Sequence, residues 1–304
     1  MNVLYALESI RTPLLDRIML FFTALGEETV FLIIALIVFW CVNKRQGYYM
    51  LTVGFSGIVI SEALKILCRI PRPWVKDPSF TIVEAAREKA AGYSFPSGHT
   101  VNAVTVYGTA ARWTDRKWLR WACILLTAVI GFSRMYLGVH SPADVFTSLA
   151  VGIILVLVLY PMFNKEKDIN ILPVIIFMIA ISLVYVLFLE LYRFPADTDP
   201  RNLANSIQNG YKILGAAIGM LISCVIDRRY TKFETAAPLW VQAVKAAGGF
   251  AVILAIKEGL KGPLTAILPQ SAAAGVRYFI IVLFAAAVWP LIFKPLTSLA
   301  NKSK

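Results

Sequence analysis

The chain predicts an all-α, multi-pass transmembrane helical bundle of about nine spans. Three observations carry that expectation. Of its 304 residues, 58% are hydrophobic, against about 45–50% in soluble domains, and the mean hydropathy is +0.69. The excess falls in blocks of roughly 14–24 residues, close to the ~20 with which a helix crosses a ~30 Å hydrocarbon layer. No block alternates with the period of a barrel strand, so each must satisfy its own backbone hydrogen bonds as helix.

In chain order, residues 1–27 come first. Val3, Leu4, Leu7, Ile10, Leu14, Leu15, Ile18 and Phe22 form a helical stripe, interrupted by Glu8, Arg11, Pro13, Asp16 and Arg17. A signal peptide would need a basic start and an unbroken apolar middle; the stripe predicts an amphipathic helix lying in the interface. Gly26-Glu27-Glu28 ends it. Spans are expected at about 29–42, 48–67, 99–112, 118–135, 142–162, 170–192, 210–226, 237–256 and 276–293. The organisation is then an interfacial segment 1–27, a core 28–163 and a C-terminal extension 164–304. No motif in the extension has an assigned chemistry. A wider lipid groove, a homodimer face and a second ligand site are the uses open to it.

A net charge of +12 raises nucleic acid as a partner, but the basic residues occur in small groups between apolar blocks, as topology signals and anionic-lipid contacts do. One set of connections carries Lys44 and Arg45; Arg116, Lys117 and Arg120; Lys165 and Lys167; Arg228, Arg229 and Lys232; and Lys294, Lys302 and Lys304. The other mixes Arg72, Lys76 and Arg87 with Asp77, Glu84 and Glu88, and Arg201 with Asp197 and Asp199. The positive-inside rule makes the first set cytoplasmic, with the N-terminus outside and the C-terminus inside. Short loops, and a lone Asn-x-Ser acceptor at Asn301 on the cytoplasmic side, lean towards a bacterial inner (plasma) membrane. Cys41, Cys68, Cys123 and Cys224 show no zinc spacing or disulfide framework and are expected as buried thiols.

Three polar clusters interrupt this pattern: Lys65 with Arg69, Arg72 and Pro73; Pro96-Ser97-Gly98-His99; and Ser133-Arg134 with His140-Ser141-Pro142-Ala143-Asp144. Together they hold both histidines, and charge bias places all three on the extracytoplasmic side. Lys65, Arg72 and Arg134 are three cations suited to a multiply charged anion, of which phosphate is the obvious one. Ser97 and Gly98 open a helix, adding a hydroxyl and backbone N–H groups. Two histidines beside such a cradle suggest phosphoryl transfer through a phosphohistidine. Asp144, one helical turn past His140, is placed to hold its Nδ1–H, leaving Nε2 as nucleophile. His99 would protonate the leaving oxygen and then activate water. The cations supply the electrostatics, so no metal or cofactor is called for.

These residues, in this order and spacing, resemble the three-part signature of the type 2 phosphatidic acid phosphatase family. Lys65 is followed after six residues by Arg72-Pro73, and every fixed position is present. The resemblance covers about residues 15–162. It implies a helical-bundle core and metal-independent removal of phosphate from membrane lipids at the outer face. It makes His140 the nucleophile, Asp144 its orienting partner and His99 the acid/base, with Lys65, Arg72, Ser97, Gly98 and Arg134 as phosphate binders. The nine-span layout with the N-terminus outside is similar to that of glucose-6-phosphatase and sphingosine-phosphate phosphatase relatives.

Each residue alone has a duller explanation. Ser141 to Asp144 reads as a capping box, the three cations as snorkelling anchors, and Trp74 as an interfacial anchor or a wall beside a lipid tail. Glu62, one turn before Lys65, suits an ion pair with it or with Arg69. Only the shared-site reading accounts for both histidines falling within clusters on one side. The expected substrate is a membrane lipid phosphate: a prenyl diphosphate such as undecaprenyl diphosphate, phosphatidylglycerophosphate, phosphatidic acid or a sphingoid phosphate. A phosphatase or phosphotransferase acting on a small soluble ester such as a sugar phosphate is the alternative. A lipid transporter fits less well, because its polar groups belong at the midplane.

Overall fold

The computed structural model describes residues 1–90, 92–163 and 171–302, with side chains to residue 300. The charges expected at Lys165, Lys167, Lys302 and Lys304, and the Asn301 acceptor, lie outside the described side chains. The described residues are helices and connections.

The expected single helix over 1–27 is two, α1 (Asn2–Ser9) and α2 (Pro13–Ala24). Pro13 cannot continue α1 because it lacks an N–H, but it suits a first helical position. Thr12 caps α2, its hydroxyl accepting from Leu15 N. A turn at Leu25–Glu27 leads to α3 (Glu28–Ile37), which a π-helical turn extends to Val42. Together α2 and Glu28–Val42 are apolar and long enough for one broken span, bent by 48°. Seven further helical stretches could each cross a membrane: Lys44–Lys76, Lys117–Tyr136, Pro142–Met162, Leu172–Leu191, Pro200–Thr231, Leu239–Ile267 and Gln270–Ala300. The count among the described residues is thus seven, or eight with the bent pair, rather than nine. The one expected at 99–112 falls outside that count by its length, yet its run still joins the two ends of the compact unit that holds it, with Gly98 beside Lys65 and Trp113 stacked on Tyr49. It forms α6 (Gly98–Ala103), a π turn and α7 (Thr109–Trp113), shorter than the ~20 residues that cross lipid as helix. Thr100 through Val106 are buried, so neighbouring helices rather than lipid cover this run.

Two compact units are present. The first comprises Met1–Ala35 and Tyr49–Asn164. It holds α1, α2, most of α3 and of α4 (Lys44–Cys68), short α5 (Pro73–Lys76), α6, α7, α8 (Lys117–Tyr136) and α9 (Pro142–Leu159). At one end Tyr49 donates to Val156 O at 2.6 Å, within a group of rings with Trp113, Tyr160 and Phe163. At the other end lie two buried apolar clusters, Ala86–Ala90–Tyr136–Leu137–Val139 and Leu4–Phe80–Ile82. Trp74 packs against both, beneath the Arg72 and Arg87 guanidiniums at 5.9 and 5.3 Å from its ring. It is therefore an internal brace of the loop region as well as an edge residue.

The second unit comprises Leu36–Tyr48 and Lys165–Lys304. Its helices are α10 (Leu172–Leu191), α11 (Pro200–Ile226), α12 (Leu239–Gly259), α13 (Lys261–Ile267), α14 (Gln270–Leu283) and α15 (Phe293–Lys302). Glycines let α11 and α14 touch backbone to backbone, a Cβ on Gly215 falling 2.1 Å from Gly275 O, as small residues do in membrane bundles. Residues 36–48 join this unit because Trp40 donates to Ala285 O at 2.8 Å and Lys44 pairs with buried Asp227 at 2.8 Å. Lys245, fully buried, donates to the Glu234 and Thr235 carbonyls at 3.3 and 3.2 Å. Of the four cysteines, Cys123 and Cys224 are buried as expected, Cys41 is half-buried, and Cys68 is exposed at the end of α4.

The buried run Thr100–Val106 depends on close helix approach, for a Cβ on Gly152 of α9 would stand 2.7 Å from Val104. We expect Gly152→Leu to cost about 1–3 kcal/mol through overpacking, read as a lower melting temperature in detergent. An unshifted melt would contradict this packing.

Candidate active site

The three polar clusters sit where helices end, and each helix end has a local cause. Lys65 lies in the last turn of α4, its Nζ 2.7 Å from Glu62 Oε1 on the same helix face. Arg72 caps α5 in an extended conformation, with Pro73 at the first helical position. Arg134 occupies the last turn of α8. Beyond it Gly138 adopts φ +79°, where a Cβ would stand 2.7 Å from Arg11 Nη2, so a side chain there is both strained and blocked. The turn lets Val139 N and His140 N donate to Arg134 O at 3.2 Å each, and His140 arrives just before Ser141, the cap of α9. Ser141 and Asp144 form a reciprocal capping box there, with Pro142 at the first helical position.

Around these ends the side chains converge. Arg72, 6% exposed, donates through Nε to Gly92 O at 3.0 Å and through Nη1 to Val139 O at 2.9 Å. The same Nη1 lies 2.9 Å from His140 Nε2. Ser97, at the start of α6, donates its N–H to Asp144 O at 3.3 Å. Its hydroxyl accepts from Thr100 at 2.9 Å, so the hydroxyl hydrogen remains available to donate. Lys65 Nζ is 4.0 Å from where a Cβ on Gly98 would stand; glycine thus leaves the ammonium beside the α6 N-terminus unobstructed. The His99 ring lies near enough to Arg134, Arg72 and Lys65 to feel their positive charges. All of the sequence-derived site residues therefore meet in the first unit.

Two features of the His140 surroundings differ from the expected picture. Nε2 is not bare, because Arg72 Nη1 stands in front of it. Asp144 Oδ2 is 3.4 Å from His140 Nδ1, while its short contacts come from Ser94 Oγ at 2.5 Å and Ser141 N at 2.7 Å. The carboxylate therefore caps α9 and faces the imidazole at once. Ser94 was not singled out from sequence. Lying two residues before Pro96, it carries a hydroxyl but no motif, and only the fold brings it to Asp144.

Unpartnered atoms define the rest. Arg134 is 1% exposed and donates through Nη1 to Thr23 Oγ1 at 2.6 Å, yet its Nε and Nη2 have no partner. His99 Nε2 and Asp144 Oδ1 are likewise buried and unpartnered. A buried charge with idle donors is costly unless an anion completes it. The two guanidinium N–H groups form the edge that grips two oxygens in parallel. Among the described residues no cluster of His, Cys, Asp and Glu offers a metal site.

The N-terminal helices build one wall of this site, which the sequence did not reveal. Arg11 donates to Tyr136 O at 2.9 Å and Thr81 O at 2.8 Å, and Tyr136 donates to Asp16 at 2.9 Å. The turn after α2 is tied to the α6 run by Asn102 donating to Gly26 O at 3.3 Å and Tyr107 to Leu25 O at 3.1 Å. Gly26 itself approaches the backbone of His99, a Cβ there falling 2.9 Å from His99 O.

Comparison with known proteins places this geometry. Residues 45–168 match the PAP2 superfamily, and residues 211–302 match the PAP2 superfamily phosphatase transmembrane extension. Undecaprenyl-diphosphatase BcrC of Bacillus subtilis is 33% identical over 145 residues, covering 46% of this chain and 71% of the relative. Phosphatidylglycerophosphatase B of the same organism is 27% identical over 159 residues, covering 48% and 74%. A crystal structure of a transmembrane PAP2 type phosphatidylglycerolphosphate phosphatase from Bacillus subtilis has 26% identity, covers 56% of this chain and 86% of that one, and gives a TM-score of 0.46. The chain belongs to the PAP2 superfamily, as a core with a C-terminal transmembrane extension. It is a multi-span membrane protein whose relatives are phosphatases of membrane lipids.

Burial first, and the positive charge of Arg72 second, hold the His140 imidazole neutral well below its ordinary pKa of 6.5. As pH falls past 6.5 the unfolded chain takes up a proton that the folded one refuses, so stability is lost. The loss reaches about 1.4 kcal/mol per pH unit for this group. We expect the melting-temperature advantage of wild type over His140→Gln, measured without phosphate, to shrink on acidification from about pH 8 to about pH 5. A constant difference would mean that His140 titrates normally in the fold.

Proposed function

We propose that this protein hydrolyses a phosphate monoester or diphosphate on a membrane lipid at the extracytoplasmic face of the cell membrane, through a phosphohistidine. The single observation behind the reading is the buried set of idle polar atoms, Arg134 Nε and Nη2 with His99 Nε2, in a site that also holds Lys65, Arg72 and His140. Such a set suits an anion with several oxygens, one of them bonded to a leaving group. Charge bias in the connections supports the outer face.

On this reading the phosphate enters between Arg134, Lys65 and the Ser97–Gly98 helix start, and draws the Arg72 Nη1–H away from His140 Nε2. The freed lone pair attacks phosphorus while Asp144 stabilises the imidazolium. The lipid oxygen departs with a proton from His99, whose protonated state the incoming negative charge favours. His99 then takes a proton from water, whose oxygen displaces His140 and releases inorganic phosphate. The cations offset charge on the equatorial oxygens throughout. Family relatives named for undecaprenyl diphosphate and phosphatidylglycerophosphate make these the first substrates to try, ahead of phosphatidic acid, sphingoid phosphates and soluble esters.

The test is phosphate release by the purified protein from a panel of lipid phosphates, lipid diphosphates and a sugar phosphate, with EDTA present. We expect activity on at least one lipid, inhibition by vanadate, and none in His140→Ala. A sugar phosphate turned over at a kcat/KM matching the best lipid would replace the lipid reading. Loss of acid–base help in His99→Ala should lower kcat about 10²–10⁴-fold; a smaller loss would remove His99 from that role.

A further inference from the structure

We propose that Thr23, on the N-terminal helix α2, is a positioning residue that aims Arg134 at the substrate phosphate. The inference rests on the proposed phosphatase site and adds a residue that no motif names, since the family match begins only at residue 45.

The argument is geometric. Arginine carries five N–H donors on a rigid plane. In Arg134 the Nη1 end is taken by Thr23 Oγ1 at 2.6 Å, while the Nε and Nη2 donors are buried and unpartnered. Nε and Nη2 make up the edge that forms two parallel bonds to an anion. Thr23 thus occupies the one end of the guanidinium that a phosphate does not need, and holds the plane so that the useful edge stays turned inward. Both partners are buried, at 5% exposure for Thr23 and 1% for Arg134, so water offers no substitute acceptor. Without that anchor, a long side chain rich in rotamers would be free to turn its plane.

The anchor is itself fixed relative to the acid/base residue. Thr23 lies in the last turn of α2, and the turn that follows is held by Asn102 and Tyr107 and abuts His99 O. Glu27, also in that turn, adds a negative charge acting on Arg134. One short segment therefore sets both the phosphate-binding edge and the backbone of His99.

The experiment compares Thr23→Val, which removes the acceptor at nearly constant shape, with Thr23→Ser, which keeps it, each alone and with Arg134→Ala. The readings are kcat/KM for phosphate release and the dissociation constant of orthovanadate. We expect Thr23→Val to weaken vanadate binding and lower kcat/KM about tenfold, the scale of one hydrogen bond to a charged group. Thr23→Ser should return both to within about threefold of wild type, and Thr23→Val should add nothing once Arg134 is alanine. Wild-type behaviour of Thr23→Val, or an equal loss with and without Arg134, overturns the proposal. Should Thr23→Val fail to fold, Thr23→Ala takes its place, and tenfold losses in Thr23→Ser would equally refute the role of the hydroxyl. If wild type binds vanadate but releases phosphate from no lipid, the phosphatase reading fails while the vanadate comparison still decides Thr23. If wild type does not bind vanadate, both fall.

Discussion

A guanidinium taken out of water is the constraint from which the rest of the first unit follows. Arg134 is almost wholly enclosed, with one hydrogen bond and two idle donors. Arg72 is nearly as buried, and it bonds to backbone carbonyls and to a histidine. Two desolvated cations so close to one another oppose folding. They are tolerable because surrounding elements over-determine their positions: a capped α9, a left-handed glycine after α8, and a buried α6 run packed on α9. The fold holds in readiness what an anion would complete, which is the logic of electrostatic preorganisation.

Neighbouring groups share duties in a way that economises on buried polar atoms. Asp144 caps α9, accepts from Ser94 and faces His140 with the same carboxylate. Arg72 Nη1 bonds Val139 O and His140 Nε2 together. Sharing ties the site chemistry to the integrity of helix ends, so that changes at Ser141 or Ser94 act on the imidazole as well as on the fold. It also leaves His140 Nε2 occupied by the Arg72 guanidinium.

The second unit is organised by different physics. Glycine-mediated contact between α11 and α14, and internal partners for Lys245 and Asp227, satisfy the polar groups of an apolar bundle from within. Its match to the family's transmembrane extension is consistent with a module appended to a catalytic core. The Lys44–Asp227 pair also explains why residues 36–48 leave the first unit, although both their sequence neighbours belong to it and they fall within the expected core 28–163.

Much of this protein was written in local features of the chain. Apolar block length dictates membrane helices, because lipid offers the backbone no partner. The order of Lys65, Arg72, Ser97, Gly98, His99, Arg134, His140 and Asp144 marked candidates in advance, because residue type and helical spacing are local, and the fold gathers them in the first unit. Even the dual character of Asp144 was legible, as Ser141-x-x-Asp144 is a capping box in its own right. What sequence alone could not decide depends on contacts between distant segments. The run at 99–112 mixes His99, Asn102, Thr105 and Thr109 with its apolar residues, and only burial among neighbours shows how so short and polar a run is housed. Thr23, Ser94 and Gly26 belong to no motif; their meaning arises where α2 meets α8 and where the loop before α6 meets α9. The orientation of the Arg134 plane and the partner of His140 Nε2 are likewise tertiary facts, because a hydrogen bond selects its acceptor by position in space rather than along the chain.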